Sequence, residues 1–203
     1  MLVNSSSLVN TPILSLQASG PIALACDPII DPDSLKIIAF KTRGPLVKNK
    51  AENILDARSI REFSKYGFVI DSEDELVAPD DVINIKKALD LNFKLEGLKV
   101  VTKNGAKLGK VLSYTCSNDD FSIMQLIVQR PTFKSFLDPE LVVPRAEIIE
   151  VTDTLIRVKD DEKTIIERAS NEDFVPNFVN PFRKHPEPDY AQAHSQTPDE
   201  EDN

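Results

Sequence analysis

The chain repeats its own apolar pattern at a constant offset of 88 residues. Leu35, Ile38, Ala39 and Phe40 fall opposite Ile123, Leu126, Ile127 and Val128. Leu55, Ile60, Phe63, Phe68 and Ile70 fall opposite Val143, Ile148, Val151, Ile156 and Val158. Few identities survive, but the spacing does. Solenoid units repeat every 20–50 residues or so, roughly half this period, so the offset reads as a duplicated small domain. A chain of 203 residues has room for two such units of about 70–80 residues each. Units that small bury modest cores, and they gain from packing together or from dimerising.

The second repeat shows the plan of each unit. Lys99–Thr102 is a short β-rich run, and Asn104-Gly105 after it suits a hairpin turn because both residues tolerate positive φ. The strand resumes at Lys107–Tyr114, with Gly109 where a side chain would obstruct a bend or a close backbone approach. Asn118, Asp119 and Asp120 make a further turn before the apolar run Ser122–Gln129. Strands are then expected at Glu140–Val143, Ile148–Val151 and Leu155–Val158. Short strands with such regular turn signals predict a small antiparallel barrel, a closure that removes exposed sheet edges. The first repeat follows with Pro12–Leu16, Ile22–Cys26, Leu35–Lys41, and strands around Ile60–Phe63 and Phe68–Ile70. Between the repeats, Pro79-Asp80-Asp81 predicts the start of a helix of about a dozen residues, with proline in its first turn and acids at its positive end. Val82, Ile85 and Leu89 share one face of it.

The motifs of the second repeat resemble the PRC-barrel family. They are Gly97 and Val100, the Gly105 turn, Gly109-Lys110-Val111, the apolar Ile123–Val128, and Val142-Val143-Pro144-Arg145-Ala146-Glu147-Ile148. This small β-barrel is named for the H subunit of the photosynthetic reaction centre and also forms the C-terminus of the ribosome-maturation factor RimM. The match covers about 97–160. The first repeat departs from it, with Pro21 where Gly109 falls and Asp56 where Pro144 falls. The resemblance implies a mainly β chain of two tandem PRC-type barrels joined by a short helix and followed by a disordered tail. The boundaries expected are 1–78, 79–93, 94–165 and 166–203. It also implies a non-catalytic adaptor or scaffold that presents barrel surfaces to other proteins, and it transfers no catalytic, cofactor-binding or metal-binding residue. By analogy with RimM the alternative is a role in ribosome assembly or RNA handling. A division- or envelope-associated adaptor is a further one.

Charge bears on that choice. The formal net charge is −9. Residues 171–203 hold eight acids against Arg183 and Lys184, which leaves the rest at −3. An acidic body lacks the concentrated cationic face that phosphate backbones require, so nucleic acid is a disfavoured partner. The two cysteines, Cys26 and Cys116, lie in strand-like stretches and read as unbridged thiols. Residues 22–26, IALAC, faintly resemble a lipoprotein cleavage site, but the preceding stretch has no Lys or Arg and no continuous apolar run. No run reaches the roughly 18–20 apolar residues of a membrane span. The expectation is a cytoplasmic protein.

Enzymatic chemistry has little footing in the sequence. Both histidines, His185 and His194, lie in the tail, far from either cysteine. The acidic patches Asp27–Asp33 and Asp71–Glu75 lack calcium-loop spacing and read as turn acids. Gly105 and Gly109 lack a phosphate-loop context. The protein-binding candidates are instead two loops after the main apolar strands, 41–50 and 129–137, which mix cations with apolar residues. Arg43 and Leu46 stand in the first, and Arg130, Phe133, Lys134 and Phe136 in the second. Such groups anchor interfaces; the alternative is that Phe133 and Phe136 tuck back onto the barrel while the cations are simply solvated. In the tail, Phe174, Phe178 and Phe182 recur every four residues. Pro176 and Pro181 break helical periodicity there, so an extended peptide is expected, docked on the barrels or on a partner, with a disordered tail of no function as the remaining alternative. The partners expected are proteins, with a homodimer among the options.

Overall fold

The computed structural model describes residues 1–18, 20–44, 53–131 and 140–159. The described chain is mainly β. Its first half holds β1 (Leu2–Asn4), β2 (Thr11–Ser15), β3 (Pro21–Asp31), β4 (Lys36–Arg43), β5 (Asn53–Asp56), β6 (Glu62–Ser64), β7 (Gly67–Ile70) and β8 (Leu76–Val77). After helix α1 (Ile83–Leu91) come β9 (Lys99–Thr102), β10 (Lys107–Ser117), β11 (Ile123–Gln129), β12 (Glu140–Pro144), β13 (Ile148–Val151) and β14 (Leu155–Val158).

Two sheets result, with orders β6-β7-β2-β3-β4-β5-β8 and β13-β14-β9-β10-β11-β12. From β6 to β5 and from β13 to β12 the order is the same. The registers also superpose, under an offset that shifts only at loops. Ile13↔Ala23 becomes Val100↔Gly109, 87 residues on for the first strand and 86 for the second. Ala25↔Thr42 and Pro28↔Phe40 become Val111↔Val128 and Tyr114↔Leu126, both strands shifted by 86. Phe63↔Phe68 becomes Val151↔Ile156 at 88. Even the register breaks of the central hairpins coincide, after Ala25 and Ile29 in one and after Val111 and Thr115 in the other. The loop between β2 and β3 is therefore one residue longer than its counterpart, and the loop between β4 and β5 two residues shorter. Two details of the sequence reading change as a result. Ala23, not Pro21, is the counterpart of Gly109, and the buried residues of β4 repeat at 86, not 88.

The sheets are not the closed antiparallel barrels that the strand pattern predicts. β2 pairs with β7, and β9 with β14, in parallel. The chain leaves β12 through a helical turn, Arg145–Glu147, and returns at the opposite edge of its sheet instead of making a hairpin. Register breaks in β3 and β10 bend the long strands, but among the described residues no ladder joins the two ends. In the first sheet β8 covers the edge of β5, pairing Ile54 with Val77. Gly109 does meet the close approach expected of it: a Cβ there would lie 2.0 Å from the Gln129 carbonyl oxygen.

One core runs through both sheets. Ile13, Ile22, Phe40 and Phe68 from the first and Val100, Tyr114, Leu126 and Val158 from the second belong to one contiguous buried cluster. β1 stitches the halves further, since it precedes the first sheet yet pairs with β10, Val3 opposite Cys116. Helix α1 is shorter than expected. Pro79–Asp81 forms a separate turn, and extended Val82 (φ −126°) interrupts it before Ile83. Ile85 and Ala88 pack on Ile29, Ala39 and Ile54, with Val82 and Leu89 beside them, so the predicted face is the packed one. Both thiols are free, Cys116 fully buried and Cys26 half-buried. Residues 160–203, including Phe174, Phe178 and Phe182, lie outside the described residues, as do Leu46, Phe133, Lys134 and Phe136.

Candidate functional site

The β3–β4 and β10–β11 hairpins meet tip to tip. Lys36 bridges Ser122 in antiparallel fashion, and these are equivalent positions, 86 apart. The Ile37 amide donates to the Phe121 carbonyl at 3.1 Å, and the Ile123 amide donates to the Leu35 carbonyl at 2.9 Å. Leu35 is equivalent to Phe121 and Ile37 to Ile123, so the two bonds exchange under a local pseudo-twofold. Leu35 (φ 46°) and Phe121 (φ 57°) both take left-handed backbone, uncommon for large apolar residues. Their side chains are buried, at 6% and 5% exposure. That burial holds the tips in a conformation the backbone alone disfavours. Phe121 packs among the aromatic rings of the other half, 5.6 Å from Phe40 and 5.9 Å from Phe68 between centroids.

The pseudo-twofold breaks on its two flanks. On one flank Arg145, at the start of the turn after β12, donates through Nη1 to the Leu35 carbonyl (2.8 Å) and the Ile123 carbonyl (3.0 Å), and through Nη2 to the Ser34 carbonyl. Its counterpart on the other flank, 88 residues earlier, is Ala57, which has nothing to donate. There a groove of about 720 Å³ opens, lined by Ala57, Ile60 and Phe63, by Val82 and Asn84, and by Asn118–Phe121. Asn118 donates from Nδ2 to the Phe63 carbonyl at 3.5 Å, which ties its turn to the first half.

Several charged groups of the groove are held in ion pairs. Arg58 forks onto Asp56, with Nη2 to Oδ2 at 2.7 Å and Nε to Oδ1 at 3.1 Å. Burial works to raise the Asp56 pKa, but the hydrogen bonds and charge of Arg58 leave it below the usual carboxylate value. Arg61 pairs with Asp71 beyond the rim. Lys36 Nζ stands 3.5 Å from Asp120. The Asp120 carboxylate accepts from the Ser122 hydroxyl and, at 3.2 Å, from the Ser122 amide. The hydroxyl bond above all, helped by Lys36, brings its pKa down to about 2. At neutral pH these carboxylates are fixed anions. They suit recognition, not proton transfer, which needs a pKa near the operating pH.

Two residues of the loop prediction fall among the described residues. Arg43 is exposed and donates from Nη2 to Asn10 Oδ1 at 2.7 Å. Arg130 is half-buried just beyond β11. Since β4 and β11 leave the bridge in opposite directions, the two arginines stand at the far ends of their strands and are not brought together. The acidic patches act as turn caps and ion-pair partners: Asp31 accepts from the Asp33 and Ser34 amides, and Ser72 caps the turn at Glu73–Glu75. No group of three or more metal-ligating side chains occurs among the described residues. Sequence reading missed the hairpin junction. Its signal was present in two large apolar residues, Leu35 and Phe121, standing inside turn segments where polar residues are the rule.

No known family model matches the chain, and no curated protein does either. Among the described residues no helix is long and apolar enough to cross a membrane.

Proposed function

We propose that this chain is a non-catalytic protein-binding module of the PRC-barrel type, an adaptor in which two small β units are fused about a pseudo-twofold and the groove beside Ala57 is the docking site. The observation that supports this reading is the combination of half-buried Ile60 and Phe63 with a rim on which Arg58–Asp56 and Lys36–Asp120 are already paired. Apolar floors with paired polar rims are what protein interfaces bury, and carboxylates held ionised offer no general acid. The fusion gives the groove walls from both halves, so it exists only in the assembled pair. The net negative charge favours a protein partner over nucleic acid.

A photo-crosslinking residue at exposed Glu62, on the groove rim, tests it in native lysate. The reading expects a discrete nuclease-resistant protein adduct that is absent from a control residue at Lys107. Labelling from Lys107 or Arg43 with none from Glu62 would place the docking face elsewhere.

A further inference from the structure

On its closed flank the protein carries a template of what its open flank is built to receive. Arg145 ties together three carbonyls at the hairpin junction, those of Ser34, Leu35 and Ile123. Under the offset that superposes the two hairpins, their counterparts are Asp120, Phe121 and Ile37, and all three residues line the groove. The residue that would bring a guanidinium to them is Ala57, whose side chain ends at Cβ. A carbonyl oxygen has two lone pairs. The Phe121 oxygen already accepts from Ile37, as the Leu35 oxygen accepts from Ile123 while also taking Arg145. The second acceptor site that Arg145 uses on Leu35 thus has its equivalent on Phe121.

We propose that the groove is a receptor for an arginine side chain presented by a partner peptide. The guanidinium enters over Ala57 and donates to the carbonyls of Phe121 and Asp120, the equivalents of the Leu35 and Ser34 carbonyls that Arg145 takes, while fully buried Ile37 lies beneath them. The planar fork of arginine fits several divergent acceptors, whereas the single ammonium of lysine does not. The Asp119 carboxylate on the adjoining turn favours a cation, Asp120 being already paired with Lys36. Ile60 and Phe63 give an apolar neighbour of that arginine a place to pack. This deepens the docking-site reading above and rests on it.

The probe is a short peptide with one arginine between two leucines, with its lysine and citrulline versions, titrated into the full chain and followed by amide chemical shifts. The arginine peptide is expected to move the Ile37, Ala57 and Phe121 amides, and to bind at least about ten-fold more tightly than the citrulline peptide, a difference of about 1.4 kcal/mol. Ala57→Arg fills the groove with the chain's own guanidinium and is expected to abolish that binding while keeping a native-like spectrum. Equal affinity for the arginine and citrulline peptides overturns the proposal, as does shift movement confined to residues away from the groove; neither result depends on the variant folding. If the peptide fails while Glu62 still crosslinks a partner, arginine recognition alone falls. If both fail, the groove is not the docking site.

Discussion

Leu35 and Phe121 hold equivalent places at the tips of two hairpins, and the carbonyl of each accepts an amide from the opposite half, at 2.9 and 3.1 Å. Both tips are left-handed, and the side chain of each is buried in the shared core. The pair makes the two repeats one folding unit, since neither tip has its hydrogen-bond partner or its packing without the other.

Replacing Phe121 with alanine is therefore expected to cost about 3–5 kcal/mol, as for other large-to-small core changes. Urea denaturation of the wild type should show one transition, because the core is shared. Two transitions in the wild type, or a loss under about 1 kcal/mol in the variant, would mean that the halves fold independently.

Arg145 satisfies three carbonyls, and hydrogen bonds from a charged donor contribute about 1.5–3 kcal/mol each without adding fully. Arg145→Ala should lose about 2–4 kcal/mol in the same assay. Arg145→Lys should recover little, since one ammonium cannot reproduce the fork. Full rescue by lysine would show that charge alone matters there.

Gly109→Ala places a methyl group 2.0 Å from the Gln129 carbonyl oxygen. That oxygen belongs to backbone and cannot swing aside, so a loss of about 3 kcal/mol or failure to fold is expected. Ala23, the counterpart of Gly109 in the first sheet, already carries a methyl group. Ala23→Gly should cost about 1 kcal/mol or less. Comparable losses in the two variants would refute the register assigned here.

Asp120 has a folded pKa of about 2 against an ordinary value of 3.8. Its contribution to stability is complete above the ordinary value and disappears as pH falls from about 4 to about 2. Ser122→Ala removes the hydroxyl that does most to lower it, so the titration of the Asp120 carboxyl carbon should move up towards 3.8. An unchanged titration would leave the hydroxyl without a role.

Burial pushes the Cys116 thiol up to about 11 from 9.0. In the folded protein at pH 8 a thiol reagent should modify half-buried Cys26 first and spare Cys116 until the chain unfolds. As pH rises from 9 towards 11, ionisation of this thiol in the unfolded chain draws stability away. Equal reaction rates for the two cysteines would contradict the packing of β10 against β1.

The repeat was legible because burial leaves its mark on spacing, and Phe68 with Ile156 and Ile70 with Val158 fall at the 88-residue offset. The shift to 86 in β4 and β11 was not legible, since two residues is one full period of a strand's alternation and a shift of that size still sets apolar positions opposite apolar ones. Barrel closure was misjudged for a related reason. A pattern of short strands specifies pairing partners, but it does not show whether Arg145–Glu147 makes a hairpin or a helical turn. The groove itself arises from a contact between residues 86 apart in sequence, and the sequence shows only the chemistry of its members, such as the acidic Asn118–Asp120 turn and Ala57.

The measurement that bears most directly on the adaptor reading is affinity capture from native lysate with the wild-type chain and with Asn84→Trp, each with and without nuclease. Asn84 is exposed on the groove wall, so tryptophan there obstructs the groove without touching the core. The account predicts a discrete protein that survives nuclease on the wild type and is lost with Asn84→Trp. Ribosomal particles that vanish with nuclease, or a partner retained equally by both chains, would contradict it.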